Sequence, residues 1–301
     1  MPSHHAAAVF GLGAMGYGMA SSLLRGGIQT YGFDVVSAQM EKFQSDGGQK
    51  GSIKDATAEI SIAVVCVLNA EQTEDVMFGN NGIVAQMREG SVVIACATVP
   101  PEFAKDMEKR CGAHGIAYLD APISGGSAKA ASGDLSIMAS GTPEAFKIAK
   151  PALDACAQTV FELGDAAGAG SAMKAVNQLL AGVHIATMAE ALTFGMTQGV
   201  TPEKFIEVIS QCAGSSWMLE NRAPHIADGD YTPLSQINIW PKDLGIVLDV
   251  AKKAGFSAPI TSTALQQYMV AVGMGLGRED DAAIAKVYAR NVGLKLPGET
   301  Q

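Results

Sequence analysis

A doubly wound α/β sheet followed by an all-helical domain is the fold class the sequence predicts, and three observations predict it. Short apolar, β-rich runs alternate with helical segments through the first half of the chain. A glycine-rich loop over residues 164–170 then ends the alternation. Beyond it the ordered segments read as helices, starting with a long apolar stretch over residues 171–199 that joins the two halves as an interdomain helix. The boundary is placed after residue 164, giving domains 1–164 and 165–301.

Taken in order, residues 7–10 read as a strand, 11–27 as a turn and helix, and 30–33 as a second strand. Residues 60–68 (ISIAVVCVL) and 91–95 (SVVIA) are near-continuous apolar runs, as expected of parallel strands covered on both faces. Residues 117–119, 135–139 and 159–163 are further strand candidates. After the long helix come 202–212, with Thr201 as N-cap and Pro202 at its first position, then 241–254, 259–274 and 280–291.

Composition narrows the function classes. The 301 residues are 48% hydrophobic and 17% charged, which gives a sizeable core and no sign of disorder. A net charge of −9 argues against a nucleic-acid partner. It leaves an anionic substrate open, because a few placed cations bind a carboxylate whatever the total charge. Cys66, Cys96, Cys111, Cys156 and Cys212 have no paired spacing for a metal or a disulfide framework, so no metal is expected and a reducing cytoplasm fits. Residues 1–8 carry no basic stretch ahead of the first strand, so a cytoplasmic protein without a signal peptide is expected. The apolar stretch 179–196 is interrupted by His184 and Glu190 and reads as a buried helix, with no membrane partner.

The sharpest motif is Gly11-Leu12-Gly13-Ala14-Met15-Gly16, a G-x-G-x-x-G turn between a strand and a helix. The first glycine permits the tight turn, the second lets backbone approach a pyrophosphate, and the third allows close helix–strand packing. The second strand ends in Asp34, at the spacing of the carboxylate that accepts ribose hydroxyls in a Rossmann domain. No arginine follows in Val35, Val36 or Ser37 to receive a 2′-phosphate, so NAD is expected over NADP. On the opposing reading, the glycines only turn the chain and Asp34 only ends a strand.

Three clusters add chemistry. Ser124-Gly125-Gly126, in the run beginning at Asp120, offers a hydroxyl and bared backbone N–H groups as a carboxylate cradle, although glycine pairs are usually ordinary turns. Lys174 and Asn177 share one face near the start of the long helix. Partial desolvation of such a lysine favours the neutral amine, able to take a hydroxyl proton as hydride leaves, whereas a lone lysine here would more often snorkel to the surface. Finally, Asp243 in Trp240-Pro241-Lys242-Asp243-Leu244 has a sufficient structural reason at a helix start, and Lys242 does not.

Together these residues resemble the β-hydroxyacid dehydrogenase family, which includes 3-hydroxyisobutyrate dehydrogenases and tartronate semialdehyde reductases. GLGAMG, DAPISGG, GAGSAMKAVNQ and KDL occur in the family's order across nearly the whole chain. The resemblance implies a Rossmann domain and a helical domain with the active site in the cleft between them. Lys174 would be the catalytic acid/base and Asn177 would orient substrate. Ser124, Gly125 and Gly126 would hold the substrate carboxylate. Leu68, Thr98 and Lys242 would join the glycine turn as cofactor contacts, and a homodimer or homotetramer is implied.

Gln178 stands where many relatives have a second asparagine, and Cys96-Ala97 replaces an Asp-x pair before Thr98. Gln178 and the segments ALTFGMTQGV, GSSWMLENR and DGDYTP look closest to the subgroup that oxidises the 2-hydroxyl of L-threonate with NAD. Gln178 is expected among the substrate contacts, its longer amide reaching an extra hydroxyl. Tartronate semialdehyde reduction or 3-hydroxyisobutyrate oxidation is the alternative within the family, and a non-catalytic dinucleotide-binding redox sensor the alternative outside it. His184 is expected to be packed, Arg222 solvated, His225 in a loop, and Trp217 either a pocket wall or core.

Overall fold

The computed structural model describes residues 6–298. Residues 1–5, on which the reading of the chain's start partly rests, lie outside them. The chain divides into two compact units, Met1–Lys174 and Ala175–Gln301, with the division inside the long helix.

The first unit opens with β1 (Ala6–Phe10), α1 (Ala14–Arg25), β2 (Gln29–Phe33), α2 (Ser37–Ser45), α3 (Ile53–Glu59) and β3 (Ile62–Val65). It continues with α4 (Ala70–Phe78), β4 (Val92–Ala95), α5 (Pro101–Gly112), β5 (Ala117–Asp120), β6 (Ile123–Ser124) and α6 (Gly126–Ser132). Then come β7 (Leu135–Ala139), α7 (Pro143–Cys156) and β8 (Ala157–Glu162). The first five strands form an all-parallel sheet in the order β2-β1-β3-β4-β5, and the other three a sheet β6-β7-β8.

Both faces of the larger sheet are buried, which is why its strands read as continuous apolar runs. Val9, Val64 and Ile94 enter one core layer, and Phe10, Val65 and Ala95 the other. β6 went unanticipated because two residues are too few to show a period. It pairs antiparallel with β7, while β8 runs parallel to β7.

The long helix α8 (Ala169–Thr197) runs from the first unit into the second, where α9 (Pro202–Ile209), α10 (Trp217–Asp228), α11 (Ile239–Lys253), α12 (Pro259–Gly273) and α13 (Ala285–Asn291) follow. Ile185, Met188 and Leu192 of α8 pack with Trp240, Leu244 and Tyr268. Gly182 makes this approach possible: a Cβ there would lie 2.8 Å from the Trp240 ring. Trp240 stacks on Tyr268, and the Tyr268 hydroxyl donates to the Gly182 carbonyl at 2.9 Å.

Three expectations change here. α8 is not buried all round, since Val176, Leu180 and Phe194 on its other side are about half exposed or more. By length and composition alone this helix is apolar enough to cross a membrane. The segment 280–291 splits into a 3-10 turn, Asp281–Ile284, and α13. His225, expected in a loop, lies in α10, whose internal Pro224 hid the helix from sequence reading.

The start of α8 is fixed by one buried carboxylate. Asp120, at the end of β5, accepts from the backbone N–H groups of Gly168 (2.9 Å) and Ser171 (2.8 Å) and from the Ser171 hydroxyl (2.6 Å). Ser140, bridged to Asp120 along the backbone, accepts from Gly170 N–H at 2.9 Å and points its own hydroxyl at the carboxylate. Asp120 thus caps a helix 48 residues downstream of it in the chain. Burial pushes its carboxyl above the usual range, and the hydrogen bonds from Ser171, Gly168 and Ser140 push back. Asp120→Ala leaves four buried donors without this acceptor and should cost roughly 3 kcal/mol or more of stability. Chemical denaturation measures that loss, and hydrogen exchange should show Gly168 and Ser171 amides losing protection first.

Candidate active site

In open α/β sheets ligands bind outside the carboxyl ends of the strands, where the strand order reverses. Here the reversal lies between β1 and β3. The turn after β1 contains the glycine motif, and its three glycines do different work. Gly11 has φ +93°, and a Cβ there would lie 2.3 Å from the Cys66 carbonyl oxygen. A Cβ on Gly16 would lie 1.9 Å from the Gly11 carbonyl oxygen. The fold itself therefore requires these two glycines. Gly13 has ordinary φ and ψ (−65°, −177°) and faces open space, with no heavy atom within 4 Å of a Cβ. Neither strain nor a neighbouring atom requires a glycine at that position, where the bare backbone leaves room for a ligand to approach.

Gly13 is the N-cap of α1, and no side chain caps the helix. Its first N–H groups, with Ala14 and Met15 in the opening turn, fit a pyrophosphate. Asp34 is held against the turn: Leu12 N–H donates to its Oδ2 at 2.6 Å and Val36 N–H to its Oδ1 at 2.8 Å. Each oxygen keeps acceptor capacity for a ribose hydroxyl. Beside it Val35 is fully exposed and Val36 half exposed, and Leu68 is exposed after β3. Thr98 is half-buried beyond β4. Cys66, facing the turn, is no reactive thiolate, because burial pushes its thiol up to about 12.

At the end of the first unit Lys174 is buried, and its Nζ donates to the Ile123 carbonyl at 2.9 Å. Ile123 immediately precedes Ser124-Gly125-Gly126, so this bond ties the lysine head to the predicted carboxylate cradle. Gly125 and Gly126 have φ of +135° and +76°, which explains why glycine occupies both positions.

In the second unit Asn177 Nδ2 donates to Gln178 Oε1 at 2.9 Å, and Gln178 Nε2 donates to Asp243 Oδ2 at 2.5 Å. Gln178 is buried, with both ends of its amide engaged, so it is not the free-reaching amide that its length implied. Lys242, part exposed near the start of α11, places Nζ 2.8 Å from Asp243 Oδ1. That contact is a charge pair without hydrogen-bond alignment.

Arg222 is not solvated. It is buried, with Nε donating to Asp281 Oδ1 at 2.6 Å, while Trp240 Nε1 donates to Asp281 Oδ2 at 3.0 Å. Burial raises the Asp281 carboxyl, with Arg222 opposing the shift. A buried carboxylate distant in sequence had no local signal that would pair it with Arg222. His225 faces the Asp230 carbonyl at 3.1 Å, His184 is half-buried on α8, and Trp217 opens α10 with its ring exposed. Asp120 was overlooked as well. It stands inside the motif containing Ser124, but its partners lie 48 and 51 residues away.

Comparison with known proteins fits this geometry. Residues 6–164 match the NAD-binding domain of 6-phosphogluconate dehydrogenase, and residues 168–288 match the domain described as NAD-binding of NADP-dependent 3-hydroxyisobutyrate dehydrogenase. An L-threonate dehydrogenase from Cupriavidus necator is 47% identical over 97% of this chain and 98% of its own. The chain belongs to the β-hydroxyacid dehydrogenase family. A second L-threonate dehydrogenase, from Pectobacterium atrosepticum, is 42% identical over 98% and 97% of the two chains. A solved 3-hydroxyisobutyrate dehydrogenase from Salmonella typhimurium superposes with a TM-score of 0.89 at 40% identity, over 94% of this chain and 99% of the other. As a member of this family the protein is an NAD-dependent hydroxyacid dehydrogenase.

The glycine geometry makes a separable prediction. Gly13→Ala should fold with an unchanged Tm, because its methyl group meets no protein atom, yet weaken NADH binding at least about tenfold by occupying phosphate space. Gly16→Ala should lower Tm as well as binding. Thermal melts and fluorescence titration with NADH distinguish the two.

Proposed function

We propose that the protein oxidises the 2-hydroxyl of L-threonate with NAD, giving the 2-oxo acid, NADH and a proton. The observation that carries the chemistry is the buried Lys174, bonded to the carbonyl of the residue next to Ser124. In a short 2-hydroxy acid the carboxylate and the reacting hydroxyl are on neighbouring carbons, so base and carboxylate cradle must also be neighbours. The relatives at 47% and 42% identity support the choice of L-threonate.

On this reading the Ser124 hydroxyl and the N–H groups of Gly125 and Gly126 hold the carboxylate. Lys174 Nζ takes the proton of the C2 hydroxyl while keeping its hydrogen bond to Ile123, and in reduction it returns that proton to the forming alkoxide. NAD, when bound, supplies the acceptor for the hydride from C2. Asp34 accepts from the ribose hydroxyls and disfavours a 2′-phosphate, with no cation among Val35, Val36 and Ser37 to offset the repulsion. Leu68, Thr98 and Lys242 complete the cofactor contacts, and Asn177 orients the acid. The protein works as a homodimer or homotetramer, supported by the exposed apolar Val176, Leu180 and Phe194 along one side of α8, and in a reducing cytoplasm, which suits its five unpaired cysteines.

Within the family, 3-hydroxyisobutyrate oxidation is the second reading, favoured by the likeness to the Salmonella structure. Initial rates of NADH production over L-threonate, glycerate and 3-hydroxyisobutyrate decide between them, and a higher kcat/KM on either rival acid would overturn the substrate. Lys174→Ala should abolish turnover, a loss of about 100-fold or more, while NADH binding stays within about twofold of wild type. Retained activity in that variant would sink the mechanism. A cofactor titration should show NAD strongly preferred over NADP.

A further inference from the structure

The hydrogen bonds of Gln178 have a consequence for substrate choice. Asp243 is buried near the start of α11, and its carboxylate has no proton to give, so Gln178 must present its N–H to Oδ2. This turns Gln178 Oε1 towards Asn177, and an oxygen acceptor requires Asn177 to answer with Nδ2. The amide polarity of Asn177 is thereby dictated by a charge two hydrogen bonds away. One Asn177 N–H is committed, and its Oδ1 accepts no hydrogen bond among the described residues.

The arrangement is held rigidly. Gly182, one turn beyond Gln178 on α8, seats the Trp240 ring. The indole N–H of Trp240 is fixed by Asp281, which Arg222 holds in turn. α11 therefore presents Asp243 to Gln178 from a packed helix and not from a mobile loop. An unrestrained asparagine shows either pole of its amide, because oxygen and nitrogen ends are nearly equal in shape.

We propose that Asp243, acting through Gln178, is a positioning residue that holds Asn177 with its carbonyl oxygen as the free pole. This pole accepts a hydrogen bond from a second substrate hydroxyl, beside the one that is oxidised. The pair Asp243–Gln178 thus selects polyhydroxy acids over acids with a single hydroxyl, without touching the substrate. The proposal rests on the reading above in which Lys174 and Asn177 face the acid.

Two variants test it in the full-length protein. Asp243→Asn lets the relay reverse, since an amide can offer either pole to Gln178. Gln178→Met keeps the side-chain length and removes the relay. The decisive quantity is the ratio of kcat/KM for L-threonate to that for 2-hydroxybutyrate of the same C2 configuration, which lacks the C3 and C4 hydroxyls. Both variants should lower this ratio roughly 10- to 100-fold, mainly through L-threonate. Equal loss on both acids, with the ratio unchanged, would show a merely structural role and overturn the proposal.

A second readout needs no turnover. In the side-chain amide NMR spectrum of the wild type, one Asn177 Nδ2 proton should exchange slowly, and both variants should lose that protection. An Asn177 signal indifferent to Asp243→Asn overturns the relay. Turnover of neither acid by the wild type overturns the functional reading and the specificity step with it, while the amide signal still decides the relay.

Discussion

The capping of α8 by the Asp120 carboxylate is the interaction on which the rest of the candidate site depends. A helix 29 residues long has four N–H groups at its start with no partner of its own. Here Gly168, Gly170 and Ser171 are buried beside the end of β5, away from water. A carboxylate meets this need better than a neutral cap, since it accepts from several donors and its charge complements the helix dipole. With Gly168 and Ser171 fixed on Asp120, the next turn of α8 begins at a defined rotation. Lys174 then meets the Ile123 carbonyl, three residues along the chain from the cap itself. One short stretch after β5 thus supplies the helix cap, the lysine's partner and the glycine pair.

The same device recurs further along the helix. Asp243 orders Gln178, and Gln178 orders Asn177. In both places a buried carboxylate accepts from neutral groups of α8 and leaves no ambiguity about which atom is donor and which acceptor. Neutral partners alone would satisfy one another in more than one arrangement. Burying a carboxylate costs stability unless its oxygens are filled. Asp120 meets that condition with three close donors. Asp243 meets it only in part, with Gln178 bonded to one oxygen and the other balanced by the charge of Lys242 without a hydrogen bond.

Local features of the fold were legible in the sequence, and long-range ones were not. The β1 turn, Asp34 and the buried strands carry their reasons within about twenty-five residues, in glycine spacing and apolar runs. The burial of Lys174 was legible because a cation among apolar neighbours stands out. Arg222 was misread because its partner Asp281 is 59 positions away, and an arginine in a polar stretch looks solvated by default. The partner of Gln178 was illegible for the same reason, with Asp243 65 positions distant. α10 was hidden by Pro224, whose lost N–H normally ends a helix interior, although Ser216 caps the start and Gly229 closes the end in the left-handed region.

The three glycines of the β1 turn show how a binding residue is told from a folding residue. Gly11 and Gly16 would collide with backbone oxygens if they carried a methyl group, so the protein needs them whether or not anything binds. Such positions say little about function, although they make the motif recognisable. Gly13 has ordinary dihedral angles and open space before it, so no strain and no neighbour accounts for the missing side chain. The open space leaves room for a group that approaches the backbone at the N-terminus of α1, which no side chain caps. The same reasoning separates Asn177 from Gln178. Gln178 is explained fully by partners within the protein, whereas Asn177 retains a carbonyl oxygen that nothing among the described residues explains.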